Sequence, residues 1–246
     1  MSENNLSVWS FYCFTAIDSP AMLMPKLLLI AKKKLIKGTI ILSQEGFNGS
    51  ISADMASARL LFDELVCLTN ASGVNLKIQE AFFDAFSKFK IKIKKEIVKL
   101  GIADLDVPKL RGKYIKPAEW DDFIADENVM MIDTRNNYEF AKGSFLNALN
   151  PETENFRDLP LWLEKNISQL KNKKVAMFCT GGIRCEKSTA YLKLLGHDEV
   201  YHLEGGILQY FQDTQNKNSK WYGQCFIFDD RSAVDVDLQD QRLEKA

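Results

Sequence analysis

One stretch limits the folds open to this chain more than any other, because an apolar segment, a glycine-containing turn and a helical pattern follow each other directly. KVAMF (174–178) predicts a buried strand, and CEKSTAYLKLLG (185–196) predicts a helix ended by its glycine. Between them lie Cys179 and the turn TGGIR (180–184). A strand that runs through a tight turn into a helix is typical of α/β units with parallel strands.

Two further apolar segments extend this pattern. NVMMIDTR (128–135) and EVYHLEGG (199–206) predict buried strands, and helical patterns at 117–124 and 159–170 lie around them. Because strands alternate with helices, the sequence predicts a parallel sheet covered by helices on both faces.

The first hundred residues show a different order. Strand-like and helical patterns follow each other as β-α-β-β-α-β, at 9–17, 21–36, 38–43, 46–53, 57–70 and 86–100. This order predicts a split βαβ, or ferredoxin-like, domain. The expected fold class is therefore α+β and α/β, with a ferredoxin-like domain in 1–100, a linker in 101–113, a parallel-sheet domain in 114–228 and a polar C-terminal tail in 229–246.

Composition and charge exclude several classes of protein. A net charge of −1 restricts any nucleic-acid surface to a local patch. Lysines interrupt the longest apolar stretch near the N-terminus, which argues against a membrane span, and no basic segment precedes it as in a signal peptide. The five cysteines are an odd and mostly widely spaced set, typical of free thiols in a reducing compartment. We expect a cytoplasmic protein without a membrane partner.

The turn after Cys179 has the composition of an anion-binding loop. Glycines permit close approach of the backbone, so successive N–H groups can point inward at the start of the next helix. Such groups and the helix dipole lower the pKa of a thiol because they stabilise the thiolate. We predict a reactive Cys179 beside a loop with a positive charge at its rim, formed by Thr180, Gly181, Gly182, Ile183 and Arg184. The alternative is a cysteine that is simply buried at a strand end.

Three motifs carry a resemblance to a known family. CTGGIR (179–184) resembles the active-site loop of rhodanese-type domains, and IDTRNNYEFAKGSFLNALNP (132–151) resembles their earlier signature. YHLEGGI (201–207) resembles their closing Gly-Gly motif. Such domains carry sulfur as a cysteine persulfide. The resemblance implies a rhodanese-like fold for the second domain, with Cys179 as sulfur carrier or nucleophile.

A wider set of motifs is similar to one subgroup, the tRNA uridine hydroxylases of rhodanese type. The set comprises CTGGIRCEKS (179–188), TRNNYEFAKGSF (134–145), GTIILSQEGFNGSISA (38–53), KIKKEIVKLG (92–101) and CFIFDDR (225–231). That subgroup makes 5-hydroxyuridine at the wobble position of tRNA. The resemblance implies dioxygen as co-substrate and the anticodon region of tRNA as partner.

Residues close to the two signatures are candidates to support the pocket. Asp133, Arg135 and Glu139 follow the first buried strand, which neighbours the cysteine strand in rhodanese-like folds. Arg135 could contact a phosphate, or pair with Glu139 four positions later as surface support. Cys185 could act as a resolving thiol for an oxidised Cys179, or pack against the sheet.

No cofactor is evident in the sequence. The GxGxxG fingerprint is absent, and the two histidines, His197 and His202, lie at a helix end and inside a strand. These positions favour structural roles over iron ligation, so no metal ligand is predicted. We hypothesise a cysteine-centred reaction, in which the Cys179 thiolate adds to C6 of uracil and the resulting enolate meets an oxidant at C5.

Lysines alternate with apolar residues in SKFKIKIKK (87–95). As a strand, this segment places ammonium groups on one face at intervals of ~6.6 Å, near the phosphate spacing of RNA. The four are Lys88, Lys90, Lys92 and Lys94, with Phe89, Ile91 and Ile93 on the core side. Together with the resemblance, this pattern predicts contact with tRNA. The alternative is an edge strand that its lysines protect against aggregation.

Three functions follow from these observations. The leading one is hydroxylation of the wobble uridine of tRNA to 5-hydroxyuridine. The second is a sulfurtransferase that passes persulfide sulfur through Cys179. The third is a persulfide- or redox-sensing module without turnover. No protein partner is evident from the sequence.

Overall fold

The computed structural model of the protein describes residues 6–81, 85–214, 219–227 and 233–234. The chain divides into two compact units, residues 1–98 and 99–246. Among the described residues, no helix combines the length and the apolar character needed to span a lipid bilayer.

The first unit is a five-stranded sheet with two helices. In chain order its elements are β1 (Leu6–Phe14), α1 (Pro20–Lys33), β2 (Lys37–Ser43), β3 (Gly46–Asp54), α2 (Met55–Thr69), β4 (Asn75–Ala81) and β5 (Phe89–Ile93). The strand order is β4-β1-β3-β2-β5, and all pairs are antiparallel except the parallel pair of β2 and β5. This is a ferredoxin-like split βαβ with one added edge strand, which confirms the predicted fold class.

The strand that completes the split βαβ is not the one predicted. β4 pairs with β1, from Leu6 opposite Ala81 to Tyr12 opposite Asn75, whereas the prediction gave this role to 86–100. Within 86–100 the strand spans Phe89–Ile93 and pairs with β2. The prediction was wrong because NLKIQEA (75–81) offers little apolar alternation, while the lysine segment alternates strongly.

The core of this unit lies between the sheet and the two helices. Both helices and the strands supply fully or nearly fully buried side chains, among them Trp9, Phe11, Leu27, Phe47, Ile51, Leu61 and Leu65. α2 begins at a capped end, since the Asp54 carboxylate accepts a hydrogen bond of 2.9 Å from the Ser57 N–H.

The second unit is a parallel sheet surrounded by helices. Its elements are α3 (Val107–Leu110), β6 (Lys113–Ile115), α4 (Pro117–Phe123), β7 (Val129–Asp133), α5 (Asn137–Phe140), β8 (Gly143–Phe145), α6 (Leu159–Leu170), β9 (Lys174–Phe178), α7 (Ile183–Leu194), β10 (Val200–Leu203), α8 (Gly206–Thr214), β11 (Trp221–Gly223), β12 (Cys225–Phe226) and β13 (Ala233–Val234). The main sheet has the order β6-β10-β9-β7 and is parallel throughout, as predicted. β8 pairs with β11, and β12 pairs with β13.

Several boundaries differ from the predicted ones. The helix after the cysteine turn begins at Ile183 rather than at 185, and the last main-sheet strand ends at Leu203, so the two glycines lie outside it. The segment 101–113 contains α3 and the first residue of β6. Of the predicted tail 229–246, only 233–234 are described, and they form β13.

Aromatic packing fixes the two-stranded sheet of β8 and β11 against the main sheet. The Phe145 ring lies 4.9 Å from the Phe178 ring and 5.2 Å from the Trp221 ring, both close to perpendicular. The rings of Tyr210 and Trp120 complete this cluster at 4.9 and 5.9 Å from Phe145. Edge-to-face pairs of this kind add about 0.5–1.5 kcal/mol each beyond burial, so the strand that precedes the cysteine turn is firmly anchored.

Candidate active site

Cys179 lies at the carboxyl end of β9, where ligands bind in open parallel sheets. β7 is the neighbouring strand, and its last residue, Asp133, stands opposite Phe178. Residues that follow β7 therefore come next to the cysteine turn. The Cys179 side chain is fully buried in this position.

The turn brings backbone N–H groups to the Cys179 sulfur. Gly182 has a φ of +95°, a left-handed conformation that favours glycine, and it caps α7. Its N–H donates to the Cys179 Sγ at 3.1 Å, and the backbones of Arg184 and Cys185 also donate to this sulfur. The donors that we assigned to an external anion thus surround the thiolate itself.

The pKa of the Cys179 thiol falls to about 5. Burial raises this pKa, but a hydrogen bond from the Cys185 thiol, the charge of Arg184 and the backbone donors together outweigh burial. A cysteine with such a pKa is a thiolate at neutral pH, and the thiolate is the nucleophilic form.

Cys185 lies in the first turn of α7 and contacts Cys179 through its own thiol. Burial and the neighbouring thiolate raise the pKa of Cys185 well above its ordinary value. Cys185 therefore stays protonated and acts as the donor of this pair. The Thr134 hydroxyl lies on its other side, with Oγ1 3.6 Å from the Cys185 Sγ.

Arg184 does not lie at an open rim, contrary to the prediction. Its guanidinium is buried and forms a two-pronged ion pair with Glu139, with both N–O distances at 2.7 Å. Although burial raises the pKa of the Glu139 carboxyl, the bonds from Arg184 hold this pKa below its usual range. Thr180 links the two, because its hydroxyl donates to Glu139 at 3.4 Å and accepts from Arg184 at 3.4 Å.

Arg135 has neither of the partners predicted for it. Instead of meeting a phosphate or Glu139, its fully buried guanidinium bonds to Asp133, with the shortest contact at 2.6 Å. It also donates to the Gly143 carbonyl oxygen at 2.6 Å, and Ser144 donates to Asp133 at 2.8 Å. The ion pair of Arg135 and Asp133 joins the end of β7 to β8. Both residues therefore stabilise the strands next to the cysteine turn.

The Gly-Gly motif packs directly on the cysteine turn. Gly206 has a φ of +69°, and a Cβ there would lie 2.4 Å from the Cys179 carbonyl oxygen and 2.7 Å from the Gly182 nitrogen. The next two residues of α8, Ile207 and Leu208, donate their N–H groups to the carbonyls of Cys179 and Thr180, at 3.0 and 3.1 Å. α8 thereby holds the turn in place.

Two residues near the site were missed as individual candidates. Thr134 stands inside the Asp-Thr-Arg motif, and its hydroxyl donates to the Phe178 carbonyl at 2.9 Å. Cys225 in β12 is fully buried and hydrogen-bonded to Thr180, and burial raises its pKa to about 12. The CFIFDDR motif begins with Cys225 and could have indicated this residue. The sequence did not show that Cys225 contacts Thr180, because the two lie far apart in the chain.

The lysine segment occupies the edge of the first unit's sheet, as the edge-strand interpretation predicts. Lys90 and Lys92 lie in β5 and are exposed; Lys88 and Lys94 flank it and are exposed as well. Phe89 and Ile91 pack against the core, but Ile93 is 43% exposed, so the predicted core face ends before it.

Both histidines occupy structural positions. Burial lowers the pKa of His202 to about 3, and its ring lies 4.4 Å from the Tyr114 ring. The Nε2 of His197 lies 3.0 Å from the Lys173 carbonyl oxygen. In the part of the chain that the structure describes, no three His, Cys, Asp or Glu side chains form a group that could hold a metal ion.

The fold and the site define a two-domain protein whose second domain carries a rhodanese-type cysteine loop. Residues 6–97 match the UPF0176 acylphosphatase like domain, and residues 116–213 match the Rhodanese-like domain. A rhodanese-related protein from Thermoplasma volcanium is 24% identical, covering 41% of this chain and 92% of that one, with a TM-score of 0.34.

Full-length relatives give the family. A tRNA uridine(34) hydroxylase from Rickettsia bellii is 53% identical over 97% of this chain and 96% of its own. A protein of the same name from Rickettsia massiliae is 52% identical over 96% of each chain. The chain belongs to the tRNA uridine(34) hydroxylase family.

Proposed function

We propose that this protein is an enzyme that hydroxylates the wobble uridine of tRNA to 5-hydroxyuridine in the cytoplasm, with Cys179 as the reacting group and dioxygen as oxidant. The observation that carries the proposal is the thiolate at Cys179, held by backbone donors and Arg184, in a chain 53% identical to a tRNA uridine(34) hydroxylase. Dioxygen rests on the family resemblance.

The thiolate form of Cys179 suits nucleophilic addition to a uracil ring. A thiolate that adds to C6 turns the C5–C4 side of the ring into an enolate, so C5 becomes able to react with an oxidant. Addition of dioxygen at C5 gives a hydroperoxide, and loss of the C5 proton with departure of the thiolate restores the double bond. A thiol, as a two-electron donor, can then take the outer oxygen atom, which leaves the hydroxyl group at C5. The donors that lower the pKa of Cys179 also make its thiolate a better leaving group.

The tRNA contact in this proposal uses the exposed lysines of β5. Lys90 and Lys92 point from an edge strand into solvent, with Lys88 and Lys94 beside them. Ammonium groups at this spacing bind phosphates without reading sequence. The anticodon region is the part of tRNA that must then reach Cys179.

Nucleoside analysis tests the proposal. We expect tRNA from a strain without the gene to contain less 5-hydroxyuridine, and less of its derivatives, than tRNA from the wild-type strain. The wild-type gene should restore them, as should Cys67→Ser, which changes an exposed cysteine. Cys179→Ser should not. Unchanged 5-hydroxyuridine in the deletion strain would overturn the function, and full restoration by Cys179→Ser would overturn the role of the thiol.

A second function, sulfur transfer, is favoured by the match of residues 116–213 to the Rhodanese-like domain. A thiolate of this kind can accept sulfane sulfur and pass it on as a persulfide. A thiosulfate-to-cyanide assay detects this activity. Activity there with normal 5-hydroxyuridine in the deletion strain would favour the sulfurtransferase, and failure of both assays would leave a sensing module.

A further inference from the structure

Two cysteines lie next to each other at the site, Cys179 directly after β9 and Cys185 in the first turn of α7. The Cys185 thiol donates to the Cys179 sulfur, and both side chains are fully buried. The Gly182 N–H donates to the Cys179 Sγ at 3.1 Å, and the Thr134 Oγ1 lies 3.6 Å from the Cys185 Sγ. A disulfide needs the two sulfurs at ~2.05 Å, and here the two thiols already lie within hydrogen-bond reach of each other.

Hydroxylation by dioxygen leaves one oxygen atom and two electrons to account for. The hydroxyl group takes one oxygen atom, and the other must leave as water, which requires a two-electron donor. Two thiols that join as a disulfide release two electrons and two protons. A pair of adjacent cysteines can therefore act as the two-electron donor that the reaction requires.

We infer that Cys185 is the resolving thiol of Cys179, so that the two cysteines supply the electrons for each turnover and finish it as a disulfide. The inference rests on the proposed hydroxylation. In the first step, one atom of dioxygen replaces the hydrogen at C5 as a hydroxyl group and the other is left on Cys179 as a sulfenic acid. In the second, the Cys185 thiol attacks that sulfur, the Cys179–Cys185 disulfide forms and water leaves. An external dithiol then reduces the disulfide and is itself oxidised.

The third cysteine of this region is less well placed. The Cys225 thiol is hydrogen-bonded to Thr180 and lies 3.6 Å from the Phe226 carbonyl oxygen. The charges that act on it are those of Arg135, Glu139 and Asp133. Cys185 is the thiol that donates to Cys179. A crosslink should therefore join 179 to 185 and leave 225 reduced.

The test uses the full-length reduced protein, desalted to remove free thiols. One arm adds unmodified tRNA in air-saturated buffer, and a second adds one equivalent of hydrogen peroxide without tRNA. Mass spectrometry counts 5-hydroxyuridine per protein and maps cysteines in unreduced peptides, with dimedone present to trap sulfenic acid. Cys185→Ser and Cys185→Ala are the test variants, and Cys13→Ser, another buried cysteine, is the control.

Wild type and Cys13→Ser should give about one 5-hydroxyuridine and one Cys179–Cys185 disulfide per protein, and further product only after dithiothreitol is added. Peroxide alone should give the same disulfide. Both Cys185 variants should give no disulfide and at least a tenfold increase in the dimedone adduct of Cys179. If neither variant folds, the wild-type arms decide alone.

Other outcomes separate this inference from the proposed function. Repeated turnover without thiol, product with both cysteines reduced, or a crosslink to Cys225 would overturn the inference while hydroxylation stands. A peroxide arm without the 179–185 disulfide would also overturn it. Absence of 5-hydroxyuridine with or without dithiothreitol, alongside a disulfide in the peroxide arm, would count against the hydroxylase function only.

Discussion

Arg184 and Glu139 form a buried, two-pronged ion pair, with 2.7 Å from Nη1 to Oε2 and 2.7 Å from Nη2 to Oε1. The pair joins the first turn of α7 to α5, the short helix that follows the neighbouring strand β7. The Asn136 N–H also donates to Glu139, at 3.1 Å. The ion pair therefore fixes the cysteine turn. It also holds the positive charge of Arg184 near the Cys179 thiolate, which lowers the pKa of Cys179.

Removal of one partner of this pair should be costly. Arg184→Met leaves a buried carboxylate without its cation, so we expect the free energy of unfolding to fall by about 3–5 kcal/mol in urea denaturation. The double variant Arg184→Met with Glu139→Met should recover much of this loss, because no unpaired charge remains. In both variants the thiolate absorbance of Cys179 should appear at higher pH than in wild type. A single variant as stable as wild type would contradict this account.

The lowered pKa of Cys179 links stability to pH. A thiol in an unfolded chain titrates near 8.5, whereas Cys179 in the folded protein titrates at about 5. Between these values the unfolded state binds one more proton, so stability rises with pH. The contribution is complete above about 8.5 and is lost as pH falls through 5.

Urea denaturation measures the contribution of Cys179 ionisation to the free energy of unfolding. Wild type and Cys179→Ser are compared at pH 5.5, 7.0 and 8.5 in the presence of a reductant. The difference between the two free energies of unfolding should rise by up to about 1.4 kcal/mol per pH unit. A difference that stays constant over this range would show that Cys179 titrates alike in both states.

Periodic patterns made much of the fold predictable. The strands at 128–135 and 174–178 are apolar runs flanked by helical patterns, and they became the neighbouring strands β7 and β9. β4 was missed because a strand at the edge of a sheet needs few apolar residues. Its ladder with β1, seven residue pairs long, depends on backbone hydrogen bonds, which the side-chain pattern of 75–81 does not reveal.

The ion-pair partners of the residues at the site were less predictable from the sequence than the positions of those residues. The sequence placed Arg135 and Glu139 near the cysteine turn, but an i, i+4 spacing suggested that they pair with each other. Helix α5 is only four residues long, and Asp133 at the end of β7 competes for Arg135, so Glu139 is free to meet Arg184. Contacts between segments far apart in the chain decide which side chains pair with each other. The residue pattern within one segment does not predict such contacts.

Gly206 should be the least replaceable glycine of the cysteine loop region. A Cβ at this position would meet three backbone atoms, the Cys179 and Thr180 carbonyl oxygens and the Gly182 nitrogen, all within 2.8 Å. Since backbone atoms cannot rotate away and φ is +69°, Gly206→Ala should lower the free energy of unfolding by about 3 kcal/mol.

Gly181→Ala is the matched control for stability, because a Cβ there meets nothing within 4 Å. Chemical denaturation of both variants measures the contrast. Equal losses of stability would show that the close approach of α8 to the turn is not what requires glycine at 206.

Charge reversal in β5 tests the tRNA surface. Lys90→Glu with Lys92→Glu changes two exposed side chains of an edge strand, so the fold should persist while phosphates are repelled. Filter binding of unmodified tRNA from 50 to 200 mM salt should show weaker binding. The slope of log affinity against log salt should become shallower by roughly 1.5, the share of two phosphate contacts.

The control reverses two lysines elsewhere, with Lys165→Glu and Lys171→Glu, which carry the same change of net charge on the exposed side of α6 and just after it. Its salt slope should stay close to that of wild type if binding is local to β5. Equal weakening in both double variants would mean that net charge alone, and not the lysine strand, governs affinity for tRNA. Unchanged binding in the β5 variant would remove this strand from the interface and leave its lysines as protection of a sheet edge.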